Sequence, residues 1–266
     1  MADASPDLLV EIDGPVMTVT MNRPEARNAF SPDMLVRAAD AWTRLDEDPA
    51  LRVAILTGAE GCFCSGMDLK ALAAGTSDDA AARWSADPDM HWKALLRHSR
   101  PSKPIVAAVE GYCVAGGTEI LQATEIRVAG ETAEFAIAEV QRGLFPLGGS
   151  TVRLQRQIGF TNSADLLLTG RRIRAAEAKA IGLIGHVVPK GEAMAKAREL
   201  ADLVAANGPL AVRAVLRSMR ETAAMSEADG LAHELTVGEP IIFETQDAKE
   251  GPRAFAEKRP PVFTGE

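Results

Sequence analysis

Short apolar runs that close on a glycine recur through the first half of the chain. Residues 16–21 are rich in β-branched and apolar side chains, and residues 51–58, 103–111 and 125–130 each form a short apolar run with a glycine at its end. Runs of this length and composition are typical of strands that are buried on both faces. They predict strands of a largely parallel sheet.

The segment after the first run has helical spacing. Ser31 followed by Pro32 is a good helix start, because the serine side chain can cap the first turn and proline is accepted there. Apolar residues then recur three and four positions apart, as on one face of a helix. The positions on that face are Met34, Leu35, Ala38, Ala41, Trp42 and Leu45. Alternation of strands and helices predicts an α/β fold.

Two later stretches break this alternation. Residues 71–100 are small and polar at their centre, which predicts a mobile loop with a partly helical end. From about residue 161 the pattern is mainly helical, and Asn207-Gly208-Pro209 should divide two helices. We therefore predict two domains, an α/β core over residues 1–200 and a helical C-terminal region over residues 201–266.

The composition narrows the class of protein. With 266 residues, 47% of them hydrophobic and 25% charged, the chain can bury a sizeable core and is neither disordered nor fibrous. A net charge of -8 argues against non-specific nucleic-acid binding, although a few local cations could still hold an anionic ligand. No apolar run reaches the roughly 18 residues of a membrane span, so no membrane partner is expected. Three cysteines and a start unlike a secretory signal predict a cytoplasmic location.

The stretch CFCSGMDL, residues 62–69, holds two of the three cysteines. A metal site would need more ligands than these, and the four histidines are scattered, so no metal is expected. The spacing does not fit a redox pair, and no local base would activate Cys64 as a nucleophile. We interpret Phe63 and Cys64 as core residues and Gly66 as a turn before a helix. Free amides at such a helix start can polarise a carbonyl oxygen.

Two glutamates are candidates for proton transfer. Glu119 follows the Ala115-Gly116-Gly117 turn, which either serves helix packing or aims a backbone N–H at a ligand. Its carboxylate could equally be a favourable helix-dipole charge. Glu139 lies among apolar residues, where burial would raise its pKa, or else on a surface loop. From the residues alone both alternatives stay open at each position.

The chain resembles the crotonase superfamily, in particular the enoyl-CoA hydratase/isomerase family. The resemblance extends over nearly the whole length, and the order and spacing of its motifs are specific. The motifs are TMNRPEARNAFSPDM, FCSGMDLK, KPIVAAVEGYCVAGGTEI, AEFAIAEVQRGLFPLGGSTVRL, LLLTGRRIRAAEAKAIGLIGHVV and EGPRAFAEKRPPVF. The resemblance implies an α/β fold of the ClpP/crotonase-like type, a spiral of β-β-α units with a C-terminal helical trimerisation region. It also implies a homotrimer or a dimer of trimers.

The resemblance further implies a chemistry. Backbone amides of Met67 and Gly116 would hold the thioester oxygen, Glu119 would activate a water, and Glu139 would supply a proton to the α-carbon. The implied reaction is hydration of a trans-2-enoyl-CoA in fatty acid metabolism. The alternatives are double-bond isomerisation, another acyl-CoA lyase reaction, or binding of acyl-CoA without catalysis. No permanently bound cofactor is expected, and coenzyme A would enter as part of the substrate.

The resemblance also implies a set of substrate and CoA contacts. The implied positions are Glu25, Ala26, Arg27, Ser65, Asp68, Leu69 and Tyr112, with Phe255 and Lys258 reaching the CoA of a neighbouring subunit. One departure bears on the substrate. Leu147 stands where the family commonly has a glycine, so the resemblance does not define the space for the acyl tail.

Overall fold

The computed structural model describes residues 6–74 and 77–266 of the chain. Nine strands in this part form a six-stranded sheet, in the order β1-β2-β3-β4-β6-β9, and a three-stranded sheet, in the order β5-β7-β8. The strands are β1 Leu8–Asp13, β2 Val16–Met21, β3 Val53–Gly58, β4 Ile105–Val109, β5 Tyr112–Val114, β6 Ile126–Gly130, β7 Glu134–Ala136, β8 Ile173–Arg174 and β9 His186–Val188. In the larger sheet only the β1–β2 hairpin is antiparallel, so the prediction of a largely parallel sheet is confirmed.

The helices pack around these two sheets. They are α1 Pro32–Glu47, α2 Leu69–Ala74, α3 Asp78–Ala86, α4 Met90–Ala94, α5 Gly116–Leu121, α6 Ser150–Ile158, α7 Phe160–Thr169, α8 Ala175–Ala180, α9 Ala193–Ala205, α10 Pro209–Thr222, α11 Glu227–Glu244 and α12 Gln246–Ala256. Short 3₁₀ turns cover Pro24–Ala26, Ala59–Gly61 and Glu139–Arg142. The chain twice runs from the larger sheet to the smaller one and then into a helix, as β4-β5-α5 and β6-β7 followed by α6. This repeat is the predicted β-β-α unit.

Helix α1 begins as predicted. The Met34 N–H donates to the Ser31 hydroxyl at 3.0 Å, and Pro32 occupies the first turn. All six residues of the predicted apolar face are buried. The Trp42 ring N–H donates to the Ala94 carbonyl at 2.9 Å, which ties α1 to α4. Local capping and apolar spacing therefore fix this helix before the rest of the core is considered.

The prediction of a loop over residues 71–100 was wrong for most of this stretch, which is helical in α2, α3 and α4. Residues 75 and 76 lie outside the described residues. Ser77 caps α3 by accepting the Ala80 N–H at 3.3 Å, and Arg83 bonds Asp40 of α1 at 2.6 Å. Ala80 is buried against the core. The contact with α1 stabilises a helix whose local sequence has little helical pattern.

Helix α9 belongs to the sheet layer. Its alanines at four-residue spacing are buried in one apolar cluster with side chains of β2, β3, β4 and β6. The predicted domain boundary at residue 200 therefore falls inside a helix that packs on the sheet. The predicted break between two helices is confirmed, because α9 ends at Ala205 and α10 begins at Pro209. Within the described ranges, no helix combines the length and apolar character that crossing a membrane requires.

Candidate active site

Two turns of the chain meet at the junction of the two sheets. Cys64 and Cys113 form a parallel bridge, in which the Cys64 N–H donates to the Tyr112 carbonyl at 2.8 Å and the Val114 N–H donates to the Cys64 carbonyl at 3.0 Å. This pairing brings Gly66 against Ala115 and Gly116. A Cβ on Gly66 would lie 2.9 Å from the Ala115 Cβ and 3.2 Å from the Gly116 nitrogen, so only glycine fits at this turn.

The amides of Met67 and Gly116 are free at this junction. Met67 forms a parallel bridge with Phe30 whose two hydrogen bonds use the neighbours of Met67. The Phe30 N–H donates to the Gly66 carbonyl at 2.8 Å, and the Asp68 N–H donates to the Phe30 carbonyl at 3.0 Å. The Met67 N–H therefore points away from the bridge. Gly116 opens α5, where the first amides have no partner within the helix. Neither N–H bonds to any group in the described part of the chain.

Ala115 holds the second turn in an uncommon conformation. Its backbone has φ 50° and ψ -125°, a region that glycine adopts freely and alanine does not. The Ala115 N–H donates to the Ala136 carbonyl at 2.8 Å, which secures the turn against β7. Strain of this kind persists where the surrounding structure fixes the backbone, and it is common at functional sites.

Met67 and Gly116 line a cavity of about 630 Å³ together with Glu119 and Glu139. Glu119 lies in the first turn of α5, and only 5% of its surface is exposed. Burial raises the pKa of its carboxyl, whereas hydrogen bonds from the Ser150 and Gly148 amides and the charge of Arg153 act in the opposite direction. These donors favour the ionised form.

The Gly148 backbone lies directly against this carboxyl. A Cβ on Gly148 would lie 2.5 Å from Glu119 Oε2, so a side chain at that position would have to displace the carboxylate. The Ser150 N–H, which donates to Glu119 Oε1 at 3.4 Å, belongs to the first residue of α6. The loop before α6 therefore supplies both the space and the donors for Glu119.

Glu139 lies in a different environment. It begins a 3₁₀ turn after β7 and is half-buried, and its Oε2 atom is buried without a hydrogen-bond partner among the described residues. Burial raises the pKa of Glu139 to about 7, and the negative charge of Glu119 adds to the rise. Burial thus raises the pKa of both carboxyls, but only Glu119 has donors from the start of α6 that oppose the rise. Two carboxyl groups in such different environments are suited to act as a base and an acid at one site.

The far wall of the cavity is apolar and aromatic. Leu69, Leu144, Phe145 and Leu147 line it and are each more than half exposed. His91 and Trp92 of α4 complete the wall, with ring centroids 3.9 Å apart. Burial lowers the pKa of His91. Sequence reasoning missed this aromatic pair as site residues, although a tryptophan beside a histidine in a stretch of small polar residues was a visible signal.

Comparison with known proteins identifies the family. The profile of the enoyl-CoA hydratase/isomerase family matches residues 11–266. This chain belongs to the enoyl-CoA hydratase/isomerase family. It is 56% identical over 261 residues to enoyl-CoA hydratase EchA19 of Mycobacterium tuberculosis, an alignment that covers 98% of this chain and 97% of that protein. It is 37% identical over 256 residues to carnitinyl-CoA dehydratase of Proteus mirabilis, covering 95% of this chain and 96% of that one.

Solved structures agree with this assignment. The crystal structure of enoyl-CoA hydratase EchA1 from Mycobacterium marinum matches with a TM-score of 0.90 at 42% identity, covering 98% of this chain and 100% of that chain. An enoyl-CoA hydratase from Bacillus anthracis matches with a TM-score of 0.88 at 34% identity, covering 98% and 100% of the two chains. The predicted crotonase fold is thereby confirmed.

In this member of the family, several predicted CoA contacts lie together beside the cavity, which Ser65 lines and Ala26, Arg27 and Tyr112 do not. The Ser65 N–H donates to the Arg27 carbonyl at 3.1 Å, and its hydroxyl donates to the Ala26 carbonyl at 3.2 Å. The Arg27 guanidinium lies 5.2 Å from the centre of the Tyr112 ring. Arg172, which sequence reasoning missed, lies at the same distance from that ring and also lines the cavity.

The Asp68 side chain is directed into the protein. Its carboxylate pairs with Arg23 at 3.0 Å and accepts the amide protons of Lys70 and Ala71, each at 3.0 Å, so that it caps α2. Hydrogen bonds from those amides and from Arg23 hold its pKa below the usual range. Asp68 does not line the cavity and instead fixes the chain directly after Met67. A contact between Asp68 and CoA stays a prediction.

Three other predicted contacts lie outside the cavity of this chain. Glu25 is exposed beside Arg23, at 3.8 Å. Phe255 of α12 is 87% exposed, and Lys258 follows the helix with φ 56°. The hypothesis that Phe255 and Lys258 reach the CoA of a neighbouring subunit stays a prediction.

Proposed function

We propose that this protein is an enoyl-CoA hydratase that adds water across the 2,3 double bond of a trans-2-enoyl-CoA to give a 3-hydroxyacyl-CoA, a step of fatty acid metabolism. One observation carries the proposal. Two glutamates in unlike environments face the same cavity as two backbone amides that have no partner among the described residues. The reaction needs these four groups. Coenzyme A takes part as the thioester-linked portion of the substrate.

The amides act on the thioester. Its carbonyl oxygen accepts hydrogen bonds from the N–H groups of Met67 and Gly116, which withdraws electrons from the conjugated double bond and makes the β-carbon electrophilic. Negative charge then develops on that oxygen as water adds. Donors that are already in place stabilise this charge without reorganising, and each is typically worth about a hundred- to a thousandfold in rate. The cysteines beneath the turn contribute packing.

The carboxyl groups act on the water and the α-carbon. Glu119, which is held toward its ionised form by the Ser150 and Gly148 amides, takes a proton from the attacking water. Glu139, whose pKa lies at about 7, is protonated in a large fraction of molecules near neutrality and donates its proton to the α-carbon. The hydroxyl oxygen joins the β-carbon as the double-bond electrons take up that proton.

The edge of the cavity with Arg27, Ser65 and Tyr112 is where we place the CoA arm. The guanidinium groups of Arg27 and Arg172 bring positive charge to the Tyr112 ring from two parts of the chain. Phosphate groups of CoA favour such a position, since arginine binds phosphate through paired donors. The thioester then lies between this edge and the apolar wall, where Leu69 and Leu147 contact the acyl chain.

Labelled water tests the proposal directly. The enzyme is incubated with a trans-2-enoyl-CoA in water enriched in heavy oxygen, and the acyl product is analysed by mass spectrometry. Hydration places one heavy oxygen in the 3-hydroxyl group. Isomerisation of the double bond incorporates no label, and a protein that only binds acyl-CoA leaves the conjugated-thioester absorbance unchanged. Either of the last two results would refute the proposal.

A further inference from the structure

A second cavity of about 590 Å³ lies between α10, α11 and the segment that leads into β4. It shares no described residue with the cavity of the two glutamates. Four arginines line it: Arg100, Arg213, Arg217 and Arg220. In a chain whose net charge is -8, such a concentration of positive charge needs an explanation.

Two of the four arginines are neutralised within the chain. Arg217 Nε pairs with Glu221 at 2.9 Å, and Arg220 Nη2 pairs with Glu125 at 2.6 Å. Glu221 is the one carboxylate among the described lining residues, and it also bonds His233 at 2.6 Å. Glu221 therefore already contacts both Arg217 and His233.

The side chains of Arg100 and Arg213 form no ion pair or hydrogen bond with any described residue. Arg220 itself keeps an unused donor, because its Nε atom is buried without a partner in the described ranges. Partial burial and the nearby charge of Arg220 lower the pKa of Arg100, and the charge of Glu125 opposes this only in part. Among the residues that the structure describes, the cavity therefore carries about two charges without a paired carboxylate and one unsatisfied buried donor.

The frame around these charges is fixed. Arg220 Nη1 donates to the Pro101 carbonyl at 2.6 Å, so α10 and the segment before β4 hold their relative positions. Apolar side chains form the rest of the wall: Leu210, Val237, Pro240 and Ile241. Small-molecule sites are typically concave and largely apolar, with a few convergent polar groups, and have volumes of about 300–1,000 Å³. This cavity meets each of these conditions.

We propose that this cavity binds an organic phosphate. The phosphate dianion pairs with Arg100 and Arg213 and accepts a hydrogen bond from Arg220 Nε, while the organic part of the ligand packs against the apolar wall. A dianion matches the two uncompensated charges, and guanidinium groups suit phosphate because they present paired donors. Inorganic phosphate would satisfy the charges alone and would leave the apolar wall uncovered.

Phenyl phosphate is a suitable probe, because it joins a dianion to an apolar ring. Its binding to the full-length protein is measured by isothermal titration calorimetry at fixed ionic strength and with a saturating concentration of a saturated-chain acyl-pantetheine, a thioester without phosphate that occupies the catalytic cavity. We expect one site per chain, with tighter binding than for inorganic phosphate. Arg100→Ala and Arg213→Ala should each weaken binding by roughly tenfold or more, since a charge-assisted hydrogen bond contributes about 1.5–3 kcal/mol.

Arg156→Ala is the matched control. Arg156 is an exposed arginine on α6 that lines neither cavity, and its removal should leave the affinity for phenyl phosphate unchanged. Equal affinity in wild type and both cavity variants would overturn the proposal, as would loss of the probe when the phosphate-free acyl-pantetheine is added. Absence of binding combined with a smaller sedimenting species for Arg213→Ala would show that a second copy of the chain fills the cavity instead.

Discussion

Glu119 and Glu139 are identical side chains that their surroundings make different. Glu119 is enclosed by donors from the start of α6, whereas Glu139 keeps one carboxyl oxygen buried without a partner in the described part of the chain. The difference comes from backbone amides and burial. Residue type alone would assign both glutamates the same role, and the different roles proposed for them rest on what surrounds each one.

Replacing the glutamates separately and together tests whether they act on one water. Glu139→Gln keeps the shape but removes the transferable proton, and general acid–base catalysis typically contributes a hundred- to ten-thousandfold, so turnover should fall by about that factor. Glu119→Gln should lose a similar factor, with little change in CoA binding. Groups that act as a unit are not additive, so the double variant should lose far less than the product of the two losses. Steady-state kinetics on one enoyl-CoA gives the turnover of wild type, the two single variants and the double variant. A double variant that lost the full product of the two single losses would contradict the shared water.

The raised pKa of Glu139 also predicts how stability depends on pH. Below the unfolded-state pKa of about 4.3 the glutamate is protonated in both states and costs nothing. As the pH rises toward 7, the unfolded chain releases its proton while the folded protein retains it, so folding becomes less favourable. The melting temperature of Glu139→Gln minus that of wild type should therefore be larger at pH 8 than at pH 4. Glu11→Gln, at an exposed glutamate of β1, is the control, and a gain that is the same at both pH values would contradict the assignment.

At the scale of elements, α5 shows how one turn positions a backbone donor. Ala115 turns the chain from β5 into the helix with φ 50°, and this conformation leaves the Gly116 N–H free at the cavity. The conformation is strained for alanine, with a cost of about 1–2 kcal/mol. The pairing of β5 with β7 and the hydrogen bond from the Ala115 N–H to the Ala136 carbonyl offset that cost.

Ala115→Gly should relieve this strain. Part of the gain is lost because glycine gives the unfolded chain more freedom, by about 0.4–1 kcal/mol, so the free energy of unfolding should rise by about 1 kcal/mol or less. Urea denaturation followed by circular dichroism measures the change. Ala138→Gly is the control, since Ala138 has φ -102° and its replacement should destabilise the fold. A loss of stability in Ala115→Gly as large as in the control would show that the turn is not strained.

Elements whose burial is encoded locally could be predicted from the sequence, and elements stabilised by distant contacts could not. The buried face of α1 and the apolar run of β4 are visible as spacing and composition. Helix α3 depends on Arg83 reaching Asp40, which lies 43 residues earlier, so no local pattern shows it. Arg172 meets Tyr112 across a similar separation, and it escaped notice for the same reason.

At the scale of the whole molecule, the C-terminal helices expose large apolar side chains. At least half of the surface of each of the following is exposed: Leu203, Val215, Met219, Leu231, Leu235, Ile242 and Phe243. A monomer rarely exposes an apolar area of this extent, and closed symmetric assemblies cover it. The predicted homotrimer or dimer of trimers would account for these side chains.

Sedimentation equilibrium at micromolar concentration tests that assembly. We expect a trimer or a hexamer, and Phe243→Glu should shift the distribution toward smaller species because it places a charge on the apolar surface. Val152→Glu is the control, since Val152 is a half-exposed apolar residue on α6, away from the C-terminal helices. A wild-type monomer at this concentration would refute the prediction.

The bridge between Cys64 and Cys113 has a consequence for chemical labelling. Both thiols are buried directly beneath the two free amides, and burial raises the pKa of Cys64 to about 12 and that of Cys113 well above its usual value. An alkylating reagent can reach them only when the junction opens, so the labelling rate measures how often the junction comes apart. A bound substrate analogue should slow alkylation of these two cysteines, while partly exposed Cys62 provides an internal reference in the same mass spectrum. Equal rates at all three thiols would mean that the junction opens freely, and catalysis would then have to wait for it to close.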